Sequence, residues 1–232
     1  MRHGFWNYYI QDHQAICEES FQERDPTPTN IQGLWVNTIF LSYFFKTSDK
    51  YLQTNQIFGK IQLIVIICGL PGVGKSTLAK NLAPRINAIV LSSDKIRKEL
   101  FPVPTYSTPE LKMVYDVMII TAKYLNDTGT NCILDATFNR EDSRMEVKKK
   151  LGLDDSQFQI IECTCPEDIA ISRLGSRKND YSDATIQVYQ KMKSIREPVK
   201  ADHITVDTTL SPEENAVKAA EYISKRLGKN SG

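Results

Sequence analysis

From about residue 61 onward, short apolar runs alternate with longer segments in which apolar residues recur every three or four positions. Short, mostly apolar runs are typical of strands that are buried on both faces of a parallel sheet. Five runs are predicted as strands, at residues 61–68, 88–91, 131–135, 158–163 and 203–206. The alternation predicts an α/β fold in which helices cover a five-stranded parallel sheet.

Two of the helical segments have recognisable ends. Ser107 begins a stretch with capping-box spacing, Ser-Thr-Pro-Glu, and Gly129 follows the helix that it opens. Ser211 begins a similar stretch with Pro212 at the first helical position, and Gly228 closes that helix. These features are structural and predict no chemistry.

The first 60 residues have a different character. They are rich in Asn, Gln, Thr and aromatic residues without a sustained period, and Pro26 and Pro28 break any long helix. Three interpretations stay open: a small element that packs on the main domain, an arm that binds a partner, and poorly ordered sequence. The predicted division is an N-terminal extension of unknown role over residues 1–60 and one α/β domain over residues 61–232.

The strongest chemical signal is the segment 69–77, Gly-Leu-Pro-Gly-Val-Gly-Lys-Ser-Thr, which matches the phosphate-binding loop (Walker A) pattern between a strand and a helix. Its glycines let the backbone turn tightly and present N–H groups to phosphate oxygens at the positive end of the following helix. Lys75 is predicted to reach the β- and γ-phosphates, and the Ser76 hydroxyl to ligate Mg²⁺. The predicted nucleotide-binding residues are Gly69, Leu70, Pro71, Gly72, Val73, Gly74, Lys75, Ser76 and Thr77.

Asp94 follows the second predicted strand, at the edge of the sheet where parallel strands end and ligands bind. Its carboxylate is predicted to accept a proton from an acceptor hydroxyl as that oxygen attacks the γ-phosphate. Arg97, one helical turn later, is predicted to hold an anionic group of the substrate. A competing interpretation, compatible with the first, makes Ser93 or Asp94 the N-cap of the next helix.

Asp135 ends the third predicted strand, where a phosphate-loop protein holds the water shell of its Mg²⁺. The next residue is Ala136, whereas hydrolysing ATPase motors usually carry a glutamate there to activate water. The chain also contains no Asn-Lys-x-Asp motif for reading guanine. Phosphoryl transfer to a group other than water is therefore favoured.

Arg173 and Arg177 lie four residues apart, on one face of the helix predicted after the fourth strand. Small phosphate-loop kinases carry such arginines on a lid that closes over the phosphates, so both are predicted to assist catalysis. A solvated charged face is the ordinary explanation for this spacing, but the phosphate loop upstream favours the lid. Arg140 and Arg144 form a second such pair, for which a surface salt-bridge role is equally well supported.

Five segments of the chain together resemble a known family. They are residues 69–77 and the segments SSDKIRKEL, ILDATFNREDSR, CPEDIAISRLGSR and YSDATIQVYQ. From about residue 61 to 227 the chain resembles the AAA-domain-containing predicted kinases, a P-loop family related to polynucleotide 5′-kinases, chloramphenicol phosphotransferase and zeta toxin. The resemblance implies a P-loop NTPase three-layer sandwich and a kinase that uses ATP and Mg²⁺. The first 60 residues depart from the family pattern.

The resemblance also implies a role for each matching position. In chain order, the implied roles are phosphate and Mg²⁺ binding by Lys75 and Ser76, the general base Asp94, a substrate contact at Arg97, metal support through water by Asp135, and the lid residues Arg173 and Arg177. Residues 206–209 resemble a stretch that lies near the adenine in related kinases.

The composition excludes some functions and names no partner. With 29 Lys and Arg against 28 Asp and Glu, the formal net charge of +1 gives no global reason to expect a nucleic-acid coat protein or a basic membrane binder. The five cysteines are an odd number and too sparse for a secreted disulfide scaffold, which favours reduced thiols over metal or redox chemistry. Neither a membrane-spanning segment nor a secretory signal is recognised, so a cytoplasmic location is expected.

The main hypothesis is an ATP-dependent kinase that moves the γ-phosphoryl group to a hydroxyl acceptor, either a small molecule or a polynucleotide 5′-hydroxyl. The basic residues at 140–150 and 191–200 are interleaved with acidic or apolar ones and show no aromatic stacking pattern, so nucleic acid lacks support as acceptor. The alternative is an ATP-binding regulatory module with weak ATPase activity, whose N-terminal arm recruits a protein partner. The oligomeric state is not predicted.

Overall fold

The computed structural model describes residues 62–176 and 182–228. Within them five strands form one sheet: β1 Ile64–Cys68, β2 Ala88–Ser92, β3 Asn131–Asp135, β4 Phe158–Thr164 and β5 Ile204–Asp207. The order is β2-β3-β1-β4-β5, and all neighbouring strands are parallel. The predicted parallel sheet is confirmed, with strand ends that differ from the predicted ones by three residues or fewer. The predicted N-terminal extension lies outside the described residues.

Helices connect the strands and cover both faces of the sheet, as predicted. They are α1 Lys75–Leu82, α2 Ser93–Leu100, α3 Thr108–Asp127, α4 Glu141–Leu151, α5 Glu167–Ser176, α6 Ile186–Ser194 and α7 Pro212–Gly228. A short 3₁₀ turn, Ala83–Arg85, follows α1. In the ranges described, no helix combines the length and the apolar composition that crossing a bilayer requires.

The central strand β1 is buried along its whole length, because successive side chains point into two separate apolar layers. Val65 and Ile67 belong to the layer that contains residues of α1, α5 and α7. Ile64 and Ile66 belong to the opposite layer, which contains residues of α3 and α4. The loop that follows β1 is thus anchored to the most buried strand of the sheet.

The two predicted helix starts differ in their capping. Ser211 Oγ accepts a hydrogen bond from the Glu214 backbone N–H at 3.1 Å, as the motif predicts. Ser107 is the N-cap of α3, but its side chain makes no capping hydrogen bond. Glu110 accepts hydrogen bonds from the N–H groups of Thr105 and Tyr106 instead, so the capping-box prediction is wrong in its bonding.

Candidate active site

The phosphate loop joins the buried end of β1 to the first turn of α1, and two of its glycines have no room for a side chain. Gly69 has φ +146°, and a Cβ added there would lie 2.5 Å from the Cys163 carbonyl oxygen. Gly72 has φ +82°, and a Cβ there would lie 2.6 Å from the Ala170 carbonyl oxygen. The loop backbone is therefore pressed against β4 and α5, in a conformation that glycine alone adopts without strain.

Hydrogen bonds from three directions hold this loop. The Gly69 N–H donates to the Thr137 carbonyl at 3.2 Å. Thr208 Oγ1 donates to the Val73 carbonyl at 2.6 Å. Lys75 Nζ donates to the Leu70 carbonyl at 2.9 Å, which folds the lysine back over its own loop. These bonds fix the curvature of the loop, and the first-turn N–H groups of α1 have no acceptors within their own helix.

The nine predicted nucleotide-binding residues divide between two sides of the loop. Gly69 and Val73 are buried, and Leu70 packs against the apolar layer of α1. The residues that border the open cleft are Pro71, Gly72, Gly74, Lys75, Ser76 and Thr77. Backbone N–H groups at a helix N-terminus beside a lysine are suited to an anionic phosphate chain.

Ser76 and Asp135 bring two oxygen atoms together below the loop. The Ser76 hydroxyl donates to Asp135 Oδ2 at 2.6 Å, and Asp135 is only 4% exposed. Burial raises the pKa of the Asp135 carboxyl, and the Lys75 ammonium partly offsets this. A hydroxyl and a carboxylate oxygen fit a hard cation such as Mg²⁺, which takes its other ligands from phosphate and water. In the described ranges no cluster of three or more His, Cys, Asp or Glu side chains offers an alternative metal site.

Asp94 lies at the second position of α2, at the carboxyl end of β2, and borders the same cleft. The N-cap of α2 is Ser92, so the interpretation of Ser93 or Asp94 as the cap is wrong. Asp94 is half-buried. Burial is the main cause that raises the pKa of the Asp135 carboxyl, and the negative charge of Asp94 adds to it.

Arg97 borders the cleft one turn further along α2, but it is 5% exposed and its guanidinium is ion-paired with Glu110 of α3. The ring of Tyr106 lies over the guanidinium, 4.8 Å from ring centroid to guanidinium carbon. The expected anionic substrate group would therefore meet a cation that already has a carboxylate partner. This pairing is not predictable from the sequence, because Glu110 matches the acidic position of a capping box.

Arg173 of α5 borders the cleft on the other side of the phosphate loop. Its guanidinium donates to Thr208 Oγ1 at 3.1 Å and to the Thr208 carbonyl at 2.8 Å. Thr208 in turn holds the phosphate loop, so Arg173 is joined to that loop through one intermediary. Arg177, its predicted partner, lies outside the described residues.

The second arginine pair separates into a buried and an exposed member. Arg144 is fully buried and donates to the carbonyls of Phe138, Glu197 and Pro198 as well as to the Glu141 carboxylate. Arg140 has a side chain that is 67% exposed and pairs with Glu197 at 3.5 Å. The surface salt-bridge interpretation fits Arg140, whereas Arg144 joins two loops from inside.

The cleft has a volume of about 1880 Å³, larger than the roughly 300–1,000 Å³ of a typical small-ligand pocket. Its lining residues come from elements on both sides of the central strand β1. The part beside β2, here called the β2 arm, is lined by Asp94, Arg97, Tyr106, Leu111, Tyr115 and Thr137. The part beside β5, here called the β5 arm, is lined by Arg173, Thr208, Leu210, Pro212 and Asn215.

Comparison with known proteins agrees with this arrangement. A family model described as an AAA domain matches residues 64–199, which include the phosphate loop, Asp94, Asp135 and Arg173. The chain belongs to this AAA domain family. The membership predicted from the sequence motifs is confirmed.

Among curated proteins, the AAA domain chain is 28% identical over 174 residues to an uncharacterized protein of Mycobacterium tuberculosis and to one of Mycobacterium bovis. Each match covers 69% of this chain and 34% of the relative. The chain thus spans about a third of the length of the curated relatives it matches.

Solved structures show the same fold at low sequence identity. A sugar kinase from Janibacter matches with a TM-score of 0.57 and 14% identity, over 72% of this chain and 96% of that one. A gluconokinase from Sinorhizobium meliloti gives 0.57 and 12%, over 74% and 99%. An APS kinase from Mycobacterium tuberculosis gives 0.52 and 19%, over 70% and 97%. The AAA domain chain therefore has a P-loop kinase fold, which confirms the predicted fold class.

Proposed function

We propose that the protein is an ATP-dependent kinase that transfers the γ-phosphoryl group of ATP to a hydroxyl acceptor. The observation that carries this proposal is the position of Asp94. It lies in the first turn of α2, at the carboxyl end of β2, and borders the same cleft as Lys75, Ser76 and Asp135. The large cleft offers room for a nucleotide and an acceptor at once.

The phosphate loop and Lys75 would hold the triphosphate, and the β5 arm would take the nucleoside. Ser76 directly, and Asp135 through water, would hold Mg²⁺, which supplies neutralisation of the phosphate charge when bound. Arg173, which borders the same cleft, would exchange its bonds to Thr208 for bonds to phosphate oxygens. Arg177 is proposed to join it.

Asp94 would act as the general base in the β2 arm. The acceptor oxygen attacks the γ-phosphorus while its proton passes to the Asp94 carboxylate, and the bond from the γ-phosphorus to the bridging oxygen breaks, with its electron pair going to ADP. The rest of the catalytic effect is positioning and charge stabilisation by fixed groups of the loop.

The solved neighbours support the proposal in a general way. They are a sugar kinase, a gluconokinase and an APS kinase in complex with AMPPNP and APS, and a sugar, gluconate and APS all carry hydroxyl groups. Transfer to an acceptor also agrees with Ala136, which stands where motors carry a water-activating glutamate. Because the chain spans only about a third of the length of its curated relatives, the proposed activity is that of this region.

The substitution Asp94→Asn tests the assignment of the base. Acceptor-dependent ADP formation should fall about 10²- to 10⁴-fold, because a carboxamide cannot take the proton. Affinity for an ATP analogue, measured by calorimetry, should stay unchanged, whereas Lys75→Ala should lower it. Glu99→Gln, which changes a carboxylate on the same helix that does not border the cleft, is the matched control and should leave turnover unchanged. Full turnover in Asp94→Asn would contradict the assignment.

A further inference from the structure

Arg97, which borders the β2 arm, forms a buried ion pair with Glu110, which does not border the cleft itself. The side chains of Arg97 and Glu110 are 6% and 4% exposed and are paired with each other. A lone buried guanidinium facing a substrate cleft would attract a phosphate, sulfate or carboxylate group. Here the chain itself supplies the counter-charge.

Glu110 is held in place from several sides, so it is not free to move away from Arg97. Its Oε2 atom accepts hydrogen bonds from the Thr105 N–H at 2.6 Å, the Thr105 hydroxyl at 2.8 Å and the Tyr106 N–H at 3.1 Å. Burial alone would raise the pKa of Glu110, but the bonds from Thr105 and Arg97 hold it below its ordinary value. Glu110 is therefore an ionised, fixed carboxylate at neutral pH.

An anionic acceptor would meet an unfavourable charge balance in this arm. Glu110 engages one nitrogen of Arg97 and leaves the Nε–H without a partner, so an anion that used the remaining donors would lie close to the fixed Glu110 carboxylate, which already balances the guanidinium charge. The anion would also lie near the negative Asp94. Lys95 is exposed, borders the cleft and helps to lower the pKa of Asp135, and Lys98 is paired with Asp183 at 2.8 Å.

The remaining wall of the β2 arm is aromatic and apolar. Tyr106 and Leu111 both border the cleft, and they are 53% and 45% exposed. The Tyr106 hydroxyl donates to the Asp183 carboxylate, so the ring is fixed at its far end; the Arg97 guanidinium covers one face of the ring, and the opposite face is left for contact. Tyr115 adds a second ring, packed edge-on against Phe138 with 5.3 Å between centroids. Such walls bind the faces of flat or cyclic molecules.

We propose that the Arg97–Glu110 pair makes the β2 arm selective for an uncharged, ring-bearing hydroxyl compound, and that Glu110 is the residue that determines this specificity. The inference rests on the proposed kinase function, since it treats the β2 arm as the acceptor site. The paired guanidinium remains a hydrogen-bond donor to a neutral hydroxyl, and the ring of the acceptor packs against Tyr106 and Leu111.

Acceptor pairs that differ in charge test the proposal on the full chain. The probes are glucose against glucuronate and thymidine against thymidine 3′-monophosphate. Binding is measured by saturation-transfer NMR with a non-hydrolysable ATP analogue filling the nucleotide site, and transfer is measured separately with ATP. The neutral member of at least one pair should bind ten-fold or more tightly than its charged partner. A wild-type preference for the charged members, or no binding of any neutral probe, would overturn the proposal.

The substitution Glu110→Gln tests the role of the counter-charge. Removing the carboxylate leaves Arg97 a net cation, so the neutral-to-charged binding ratio should shift ten-fold or more toward the charged probe. Asp116→Asn is the matched control, because it removes another buried, ion-paired carboxylate of α3 that does not border the cleft, and its ratio should equal that of the wild type. An unchanged ratio in folded Glu110→Gln protein would overturn the proposal.

The same experiment separates this inference from the proposed function. Selective binding of the neutral probes without any phosphoryl transfer would contradict the kinase function and leave the selectivity of the β2 arm supported. Transfer to the charged members in preference would support the kinase function and overturn the selectivity. The wild-type ratio requires no variant, so it decides the question even if Glu110→Gln does not fold.

Discussion

Gly72 shows how strongly a single residue constrains the phosphate loop. Replacing it with alanine would force a Cβ to within 2.6 Å of the Ala170 carbonyl oxygen at a φ of +82°. We expect Gly72→Ala to lower the free energy of unfolding by about 1–3 kcal/mol and to weaken binding of an ATP analogue, because the loop must shift. Urea denaturation and calorimetry measure the two effects.

Gly175→Ala is the control for that substitution. Gly175 lies in α5, where an added Cβ meets nothing within 4 Å, so alanine should leave nucleotide binding unchanged and stabilise the helix slightly. Equal losses in the two variants would contradict the steric explanation for the loop glycines.

The residues of the phosphate loop were predictable from the sequence because they lie together in one short motif. Lys75 and Ser76 follow from spacing alone, and Asp135 follows from its place at the end of an apolar strand. The partner of Arg97 was not predictable. Glu110 is 13 residues away and matches a local helix-capping pattern, whereas its actual partners were fixed by the packing of α2 on α3.

At the scale of elements, Arg144 joins α4 to the loop before it and to the segment around Glu197. Replacing this fully buried side chain with methionine would leave the carbonyls of Phe138, Glu197 and Pro198 without their donor. We expect Arg144→Met to lower the free energy of unfolding by about 3–5 kcal/mol in urea denaturation.

Arg140→Met provides the comparison for Arg144. Its side chain is 67% exposed and its pair with Glu197 is screened by solvent, so the melting temperature should change little. If Arg144→Met were as mild as Arg140→Met, the structural role given to Arg144 would be wrong.

The junction of α3 and α4 should be sensitive to acid. Asp116 of α3 is 7% exposed and pairs with Lys150 of α4 and Lys112. Burial opposes ionisation, but hydrogen bonds from both lysines hold the pKa of Asp116 below its ordinary value. A lowered pKa in the folded state means that the stabilisation is complete above the unfolded value of about 3.9 and is lost as the pH falls through the folded one.

Asp116→Asn should therefore cost about 1–2 kcal/mol at pH 7 and progressively less toward pH 3. Chemical denaturation at several pH values measures this convergence. Asp127→Asn, which removes an exposed pair with Lys123 on the same helix, should show a smaller effect at every pH. A cost for Asp116→Asn that does not vary with pH would contradict the assignment.

The elements themselves were largely predictable, because buried parallel strands stand out as apolar runs between turn signals. The exact ends of the helices were less predictable. The predicted cap of α2 was displaced by one or two residues to Ser92, and the acidic residue of the α3 capping box was diverted to Arg97. For Glu110, a tertiary contact with Arg97 took precedence over the local bonding that the sequence pattern favours.

At the scale of the whole molecule, the order of the strands determines how the site works. The sequence predicts five parallel strands but not that β1 is central, and only this placement gives the cleft two arms around the phosphate loop. Residues 94 and 173, far apart in the chain, then border the same cleft from elements on either side of β1. The proposed division into a nucleoside arm and an acceptor arm rests on this topology, which local motifs do not predict.

The fate of the γ-phosphate tests the central claim most directly. Wild-type protein is incubated with ATP, Mg²⁺ and the neutral hydroxyl probes, and the products are followed by ³¹P NMR, with Lys75→Ala as the inactive control. The account predicts a phosphomonoester signal that grows with ADP and is absent in Lys75→Ala. Formation of inorganic phosphate alone, at a rate that no acceptor changes, would contradict a kinase and favour a weakly hydrolysing nucleotide-binding module.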